Sequence, residues 1–250
     1  MPTSLHDPWF LWPPAERPGI VRVFCAPYAG GSAAVFTRWR QEADPRLEFV
    51  ALQPPGRGTR SRERPYERMA PLAESLADAI EPYTDEPYAL FGHSMGAAVS
   101  FEVARELRRR RSPPPVHLVV SARRGPRVPL RHRPLHRLDD DNLVEELAAL
   151  NGTPAAVLAD GELLAAMLPV IRADLAVAEA PYRAEPPLDC PITAFGGRDD
   201  RVTVADLEAW AAETRAGFSI EMFDGDHFFL NEQRPAMLQA IAERLVASAG

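Results

Sequence analysis

The sequence contains no lysine, so all 28 of its basic residues are arginine. It has only two cysteines, Cys25 and Cys190, which excludes a disulfide framework and fits a reducing compartment. Its longest apolar stretch, residues 163–171, is too short to cross a bilayer as a helix. No basic segment followed by a long apolar run opens the chain, so no signal peptide is predicted. We therefore expect a soluble, cytoplasmic protein that does not contact membranes.

The charge balance argues against a general nucleic-acid binder, because the 250-residue chain carries a formal charge of −7. One segment departs from this balance: residues 105–137 hold eleven arginines and a single acid, Glu106. No interleaved aromatic residues or RNA motif accompany these arginines. Two interpretations remain for the segment, a solvated surface or a docking site for an acidic partner.

Short β-rich runs alternate with helical patterns along the chain. Runs typical of strands lie at 20–26, 48–52, 88–91, 116–120, 192–195 and 218–223. Apolar residues at helical spacing predict helices near 70–83, 95–110, 204–214 and 235–247. This alternation predicts an α/β fold with a mainly parallel central sheet flanked by helices.

The alternation is interrupted between about residues 125 and 187, where no strand is predicted. One helix is expected after the acidic run at 139–141, and a second from about 161 to 180, with a bend or break at Pro169. We interpret the segment as a helical lid inserted over the sheet edge. The whole chain, residues 1–250, is then a single domain, since no linker separates two units.

A candidate nucleophile lies in the G-x-S-x-G motif formed by residues 92–96, with Ser94 at its centre. The motif falls between a predicted strand and a predicted helix, which is the setting of a nucleophile elbow. The tight turn requires glycine on both sides because neighbouring backbones come close. The helix N-terminus behind the serine favours developing negative charge.

A serine hydroxyl needs a base, and His227 is the best candidate among six histidines. His227 follows the last predicted strand, at the sheet edge where Ser94 lies. The others adjoin Ser94, lie in a strand, or occupy polar or terminal segments: His93, His117, His6, His132 and His136.

The histidine in turn needs a carboxylate, which in this chain order falls between Ser94 and His227. The loop after the strand at 192–195 offers two adjacent acids, Asp199 and Asp200, and the lid offers Asp174. We favour Asp200, and the other two remain alternatives.

Acyl transfer also requires hydrogen-bond donors for the oxyanion. We expect them to be the backbone N–H of Met95, directly after the nucleophile, and that of Ala29, in the glycine-containing loop at 27–32. No phosphate-binding pattern accompanies those glycines, and no metal-ligand cluster has sensible spacing. We therefore expect neither a cofactor nor a metal.

Four segments together resemble the type II thioesterases of polyketide and nonribosomal peptide synthetase systems. They are Pro-Tyr-Ala-Gly-Gly at 27–31, Gln-Pro-Pro-Gly-Arg-Gly at 53–58, Phe-Gly-His-Ser-Met-Gly at 91–96, and Gly-Asp-His-Phe-Phe-Leu at 225–230. The resemblance implies an α/β-hydrolase fold, a triad of Ser94, Asp200 and His227, and oxyanion donors at Ala29 and Met95. Many members of the family have glycine where this chain has Asp226.

The resemblance also implies an activity: hydrolysis of acyl groups from the phosphopantetheine arm of acyl or peptidyl carrier proteins, which clears stalled or aberrant units. The phosphopantetheine belongs to the substrate, and the arginines at 105–137 are candidates for docking the acidic carrier. Nothing in the sequence requires an oligomer, so a monomer is expected. The alternatives are a small-molecule carboxylesterase or acyltransferase with the same triad, or a non-catalytic binding protein of this fold.

Overall fold

The protein is represented by a computed structural model that describes residues 7–15, 19–150 and 160–247. Six strands form one sheet, in the order β2-β1-β3-β4-β5-β6, and every neighbouring pair is parallel. The strands are β1 (Val21–Ala26), β2 (Leu47–Ala51), β3 (Tyr88–His93), β4 (His117–Ser121), β5 (Ile192–Gly197) and β6 (Phe218–Phe223). The predicted α/β fold with a mainly parallel sheet is confirmed.

The α-helices of the described residues agree with the sequence pattern except near the N-terminus and at 204–214, where the α-helix ends at Glu208 and residues 209–213 form a 3-10 helix. They are α1 (Thr37–Glu42), α2 (Met69–Ile80), α3 (Met95–Arg110), α4 (Asp140–Ala149), α5 (Gly161–Ala178), α6 (Val204–Glu208) and α7 (Arg234–Ala247). Helix α1 was not predicted: it has six residues, of which only Trp39 is buried, so no apolar periodicity marks it. None of the described helices is long and apolar enough to cross a membrane.

The sheet is covered on both faces, so its strands are apolar throughout. In β1, Phe24 and Ala26 belong to the core formed with α2 and α3. Val23 and Cys25 belong to the opposite core, which α1 and α7 cover. Successive side chains of a strand point to opposite faces, which explains why this strand reads as a continuous hydrophobic run.

Residues 125–187, which we call the inserted segment, lie between β4 and β5 and contain α4 and α5. Residues 151–159 of this segment lie outside the described residues. The two helices share a small apolar cluster that also packs against Ala29; its buried members are Leu143, Leu164, Leu168, Ile171 and Leu175. Of the bend or break predicted at Pro169, the break is absent, since α5 runs through this residue. Proline has no N–H to donate to the carbonyl one turn earlier in the helix. Because Pro169 lies on the exposed face of α5, water can bind that carbonyl instead.

The strand order reverses direction at β1, which pairs with β2 on one side and with β3 on the other. The loops that leave the carboxyl ends of β1 and β3 therefore diverge, and a crevice opens between them. Ligands of open α/β sheets bind at such a switch point. The loop after β1 carries Ala29, and the turn after β3 carries Ser94.

Candidate active site

The turn from β3 into α3 holds Ser94 in a conformation that few residues other than glycine adopt, with φ 55° and ψ −111°. A Cβ at Gly92 would lie 2.0 Å from the carbonyl oxygen of Gly96, and a Cβ at Gly96 would lie 2.1 Å from that of Ala26. Both positions therefore require glycine, as expected from the motif. The second contact also shows that the elbow packs directly against the end of β1.

The structure brings Ser94, His227 and Asp200 into one hydrogen-bonded chain. His227 Nε2 lies 3.0 Å from Ser94 Oγ, and His227 Nδ1 lies 2.9 Å from Asp200 Oδ2. The Asp200 side chain is 1% exposed and that of His227 is 13% exposed. A carboxylate at Nδ1 places the imidazole proton there, which leaves Nε2 as the acceptor for the serine proton. This geometry can activate the hydroxyl as a nucleophile.

His93 supports the loop that carries His227. Its Nε2 lies 2.8 Å from the backbone carbonyl oxygen of His227, and its Nδ1 lies 2.9 Å from Ser121 Oγ. Complete burial, and secondarily the nearby His227, lower the pKa of His93 to about 3. His93 is therefore neutral at physiological pH, and its Nε2–H donates to the carbonyl. As expected for the residue next to the nucleophile, the His93 ring forms its hydrogen bonds with groups other than the Ser94 hydroxyl. Its contact with the backbone of His227 was not predicted.

The two alternative acids lie elsewhere. The backbone N–H of Asp199 donates to the carbonyl oxygen of Gly225, and the hydrogen bonds at His227 Nδ1 are made with Asp200 instead. Asp174, on α5, is buried and accepts hydrogen bonds from the Gly30 N–H and from Arg57. Burial raises the pKa of Asp174 to about 6, and Arg57 and the Gly30 amide oppose that rise.

The remaining histidines contact groups other than Ser94. His117 lies 2.8 Å from Thr193 Oγ1, and His136 lies 2.6 Å from Glu179 Oε2. His132 contacts the backbone carbonyl of its neighbour, Arg133. His6 lies outside the described residues.

The loop after β1 forms a tight turn over residues 28–31. The Gly31 N–H donates to the carbonyl oxygen of Tyr28 at 2.9 Å, and the Gly30 N–H donates to Asp174 at 2.8 Å. Within the described residues, the Ala29 N–H has no acceptor. Met95 is the first residue of α3, so its N–H has no acceptor inside the helix. Both expected oxyanion amides are thus available at the switch point.

Asp226 shapes the histidine loop. Its Oδ1 accepts the backbone N–H of Phe228 at 2.8 Å, and its carbonyl accepts that of Phe229 at 3.1 Å. These contacts close a turn around His227. Glycine could not supply the side-chain acceptor, so the aspartate adds a local hydrogen bond to the loop.

The arginine-rich segment is largely paired within the chain rather than free. Helix α3 begins directly after Ser94 and its 16 residues span about 24 Å, so its last turn lies far from the elbow. In that turn Arg108, Arg109 and Arg110 all form ion pairs with carboxylates. Later in the segment, Arg127 pairs with Glu213 and Arg131 with Asp206. Most of these arginines therefore already have a carboxylate partner within the chain, although Arg127 and Arg131 are exposed.

The same fold is found in known proteins. The model of the thioesterase domain matches residues 21–245. The chain belongs to this family. The thioesterase is 41% identical over 244 residues to the gramicidin S biosynthesis protein GrsT of Aneurinibacillus migulanus, with 97% of this chain and 95% of the relative covered.

Two solved structures resemble the thioesterase over nearly its full length. RedJ, a thioesterase from the prodiginine biosynthetic pathway in Streptomyces coelicolor, is 40% identical with a TM-score of 0.85, and the match covers 95% of this chain and 98% of RedJ. The type II thioesterase BorB, from the borrelidin biosynthetic cluster, is 39% identical with a TM-score of 0.86, covering 96% and 98%. The family resemblance seen in the sequence is confirmed, the fold is the α/β-hydrolase fold, and the protein is an enzyme that hydrolyses thioesters.

Proposed function

We propose that this thioesterase removes acyl groups from the phosphopantetheine arm of acyl or peptidyl carrier proteins in a polyketide or nonribosomal peptide synthetase system. The observation that carries the proposal is the hydrogen-bonded chain from Ser94 through His227 to Asp200. The pathways of similar proteins support the choice of substrate, since ClbQ comes from the colibactin pathway and the type II thioesterase YbtT from the yersiniabactin pathway, and both are nonribosomal peptide and polyketide synthetase pathways. In the proposed cycle Ser94 is the nucleophile, His227 the base and Asp200 the acid that orients it.

In the first half of the cycle, Ser94 Oγ attacks the thioester carbonyl carbon while His227 Nε2 accepts the hydroxyl proton. The carbonyl oxygen becomes an oxyanion, which the N–H groups of Ala29 and Met95 stabilise. The oxyanion then collapses, the carbon–sulfur bond breaks, and His227 gives its proton to the departing pantetheine thiolate. The products are an acyl ester on Ser94 and the free thiol of the carrier arm.

In the second half, His227 Nε2 accepts a proton from a water molecule that attacks the acyl-serine carbonyl carbon. A second oxyanion forms at the same two amides. The bond between the carbon and Ser94 Oγ then breaks, and His227 returns the proton to the serine. The released product is a carboxylic acid, and this cycle consumes no dissociable cofactor.

The contacts of the inserted segment support a role as a lid. Its apolar cluster packs against Ala29, one of the two proposed oxyanion donors. An arm that reached Ser94 would therefore pass along this segment. We propose that the segment is the helical lid of a single domain and that it contacts the acyl group.

Two arginines of the arginine-rich segment remain as candidates for contact with an acidic carrier. Arg133 and Arg137 are exposed, and neither forms an ion pair with a carboxylate of the described residues. They flank Leu135, which packs against the same apolar cluster as Ala29. We therefore restrict the docking hypothesis to this pair, since the arginines at the far end of α3 are distant from Ser94.

Reversing charge at this pair tests the docking surface. The variant Arg133→Glu/Arg137→Glu should raise KM for an acyl-carrier substrate roughly fivefold, because rim charges mainly affect association. KM for a small acyl-pantetheine thioester should stay unchanged. Arg111→Glu, which reverses charge at the far end of α3, is the matched control and should alter neither value. Equal losses on both substrates would exclude a docking role.

The function itself is tested by intact mass spectrometry of an acetyl- or propionyl-loaded carrier protein after incubation with the enzyme. The wild type should remove the acyl mass and leave the free pantetheine thiol, whereas Ser94→Ala should leave the carrier loaded. If the acyl group persists while a p-nitrophenyl ester is cleaved, the nucleophile assignment stands and the carrier substrate is wrong. If Ser94→Ala still turns over substrate, the nucleophile assignment is wrong.

A further inference from the structure

The carboxylate of Asp174 joins three segments that are far apart in the chain. Its side chain is 7% exposed, and its Oδ2 accepts the Gly30 N–H at 2.8 Å and an Arg57 Nη2–H at 2.5 Å. The three residues lie on the loop after β1, the loop after β2 and helix α5. None of them belongs to the chain of hydrogen bonds that activates Ser94.

The amide held by Asp174 is the central peptide of a β-turn. Residues 28–31 form the turn, closed by the hydrogen bond from Gly31 to Tyr28, and Gly30 has φ +77°. A φ near +80° at the third position is the mark of a type II turn. Rotating the Ala29–Gly30 peptide by half a turn converts type II to type I without breaking the closing hydrogen bond. The bond from Gly30 to Asp174 opposes that rotation.

We propose that Asp174 is a positioning residue for the oxyanion site: it anchors the turn at Gly30 and thereby holds the adjoining residue Ala29, with its N–H, in place. The inference rests on the proposed role of Ala29 as an oxyanion donor. Asp174 does not touch the reacting atoms. It acts through the turn, so its loss should weaken transition-state stabilisation more than substrate binding.

The packing of α5 shows, independently of the hydrogen bonds, that this helix lies against the turn. A Cβ placed on Gly30 would lie 3.0 Å from Ile171 Cγ1, and one placed on Gly56 would lie 3.4 Å from Val170 Cγ2. Ile171 and Asp174 are three residues apart and so lie on one face of the helix. Helix α5 therefore contacts the turn through both an apolar and a charged side chain.

Arg57 forms an ion pair with Asp174 and so balances the charge of the buried carboxylate. Its Nη2 binds Asp174, while its Nε and Nη1 are buried and lack a hydrogen-bond partner among the described residues. The same guanidinium and Met95 line a cavity of about 20 Å³. Without the carboxylate, Arg57 would be a buried charge with no counterion, which destabilises a fold strongly. The test must therefore separate the acceptor function of Asp174 from its charge.

Three single variants make that separation. Asp174→Asn keeps an oxygen that can accept the Gly30 N–H but removes the charge, and Asp174→Ala removes both. Glu179→Gln is the matched control: its buried carboxylate, just after α5, accepts the N–H of Leu135 and does not contact the turn. The measurements are kcat and KM on an acetyl-carrier substrate and on p-nitrophenyl acetate, and inhibition by a small alkylboronic acid, which forms a tetrahedral adduct with a nucleophilic serine.

Asp174→Ala should lower kcat about 100-fold on both substrates, the loss expected from a misplaced oxyanion donor, and change KM less than threefold. The inhibition constant of the boronic acid should rise in parallel. Asp174→Asn should recover kcat to within roughly fivefold of wild type, since it keeps the acceptor. Wild-type kcat in Asp174→Ala, an equal loss in Glu179→Gln, or an Asn variant as slow as the Ala variant would each overturn the proposal.

A double variant covers the case in which Asp174→Ala does not fold. Arg57→Met/Asp174→Leu replaces the buried ion pair by apolar side chains, which commonly preserves stability while removing the acceptor. It should melt near the wild-type temperature and remain about 100-fold slower. A folded double variant with wild-type kcat would refute the positioning role. Failure of the carrier substrate in the wild type, with the ester still cleaved, would refute only the proposed function, because the comparison then continues on the ester.

Discussion

The contact between the elbow and the end of β1 predicts the outcome of adding a single methyl group at Gly96. In Gly96→Ala the new Cβ would lie 2.1 Å from the Ala26 carbonyl oxygen and 2.7 Å from that of Pro27, whereas real Cβ contacts stay above 3.0 Å. Both neighbours are backbone atoms, so no side chain can rotate away. The end of β1, and with it the loop that carries Ala29, must move by about 1 Å relative to Ser94.

That displacement should affect stability and activity together. Overpacking of this kind costs about 1–3 kcal/mol, which corresponds to a fall in Tm of roughly 3–10 °C for a chain of this size. A 1 Å error between nucleophile and oxyanion donor should lower kcat about 100-fold. Thermal denaturation gives the first value, and the rate of p-nitrophenol release from p-nitrophenyl acetate gives the second.

Gly161→Ala is the control for the chemical change itself. Gly161 begins α5, and a Cβ added there would have no neighbour within 4 Å, so the substitution should leave Tm unchanged or slightly raised. The reasoning is refuted if Gly96→Ala melts and turns over like the wild type. A loss of Tm with kcat intact would show that β1 yields without moving the oxyanion loop.

Two further predictions follow from the buried titratable groups. Asp200→Asn should lower kcat about 10⁴-fold, because His227 loses the partner that fixes its tautomer. Asp199→Asn should lower kcat less than about threefold. Similar losses of kcat in the two variants, measured by steady-state kinetics, would contradict the assignment of Asp200. The pKa values of buried His93 and His117 are lowered to about 3 and about 4, so below pH 6.5 the unfolded chain takes up protons that the folded chain does not. Each histidine should therefore remove about 1.4 kcal/mol of unfolding free energy per pH unit between pH 6 and 4.5. Asp174, whose pKa is raised to about 6, is protonated first in the folded state and offsets one of them. Urea titrations at several pH values should show that the unfolding free energy of His117→Gln depends less steeply on pH, by that amount. An unchanged slope would be inconsistent with a neutral buried histidine.

The strands could be predicted because each is covered on both faces. Burial on both sides requires apolar residues at every position, and such runs stand out between turn residues. The elbow could be predicted as well, since its glycines are required by contacts within six residues of sequence and by the neighbouring strand. Helix α1 could not, because a single buried residue gives no periodic pattern.

The contacts that complete the site are non-local, which is why sequence reasoning missed them. Asp174 lies 144 positions from Gly30 and 117 from Arg57, and no spacing rule connects such residues. It entered the sequence analysis only as a possible triad acid. The choice between Asp199 and Asp200 likewise depends on which side chain faces His227, which the turn after β5 decides. The single-domain organisation, the cytoplasmic location and the monomeric state remain predictions.

The triad and the oxyanion turn are supported by different parts of the chain, which matters for the construction of chimaeric enzymes. Ser94, Asp200 and His227 are carried by loops that follow β3, β5 and β6, and none of their mutual hydrogen bonds involves the inserted segment. The turn that holds Ala29, in contrast, binds a carboxylate from that segment. An insert grafted from another relative would therefore leave the nucleophile intact while carrying its own support for the oxyanion turn. The position of Asp174 and the residue at 57 should be inherited as a unit, and exchanges that split them should give enzymes that acylate slowly although their triads are complete.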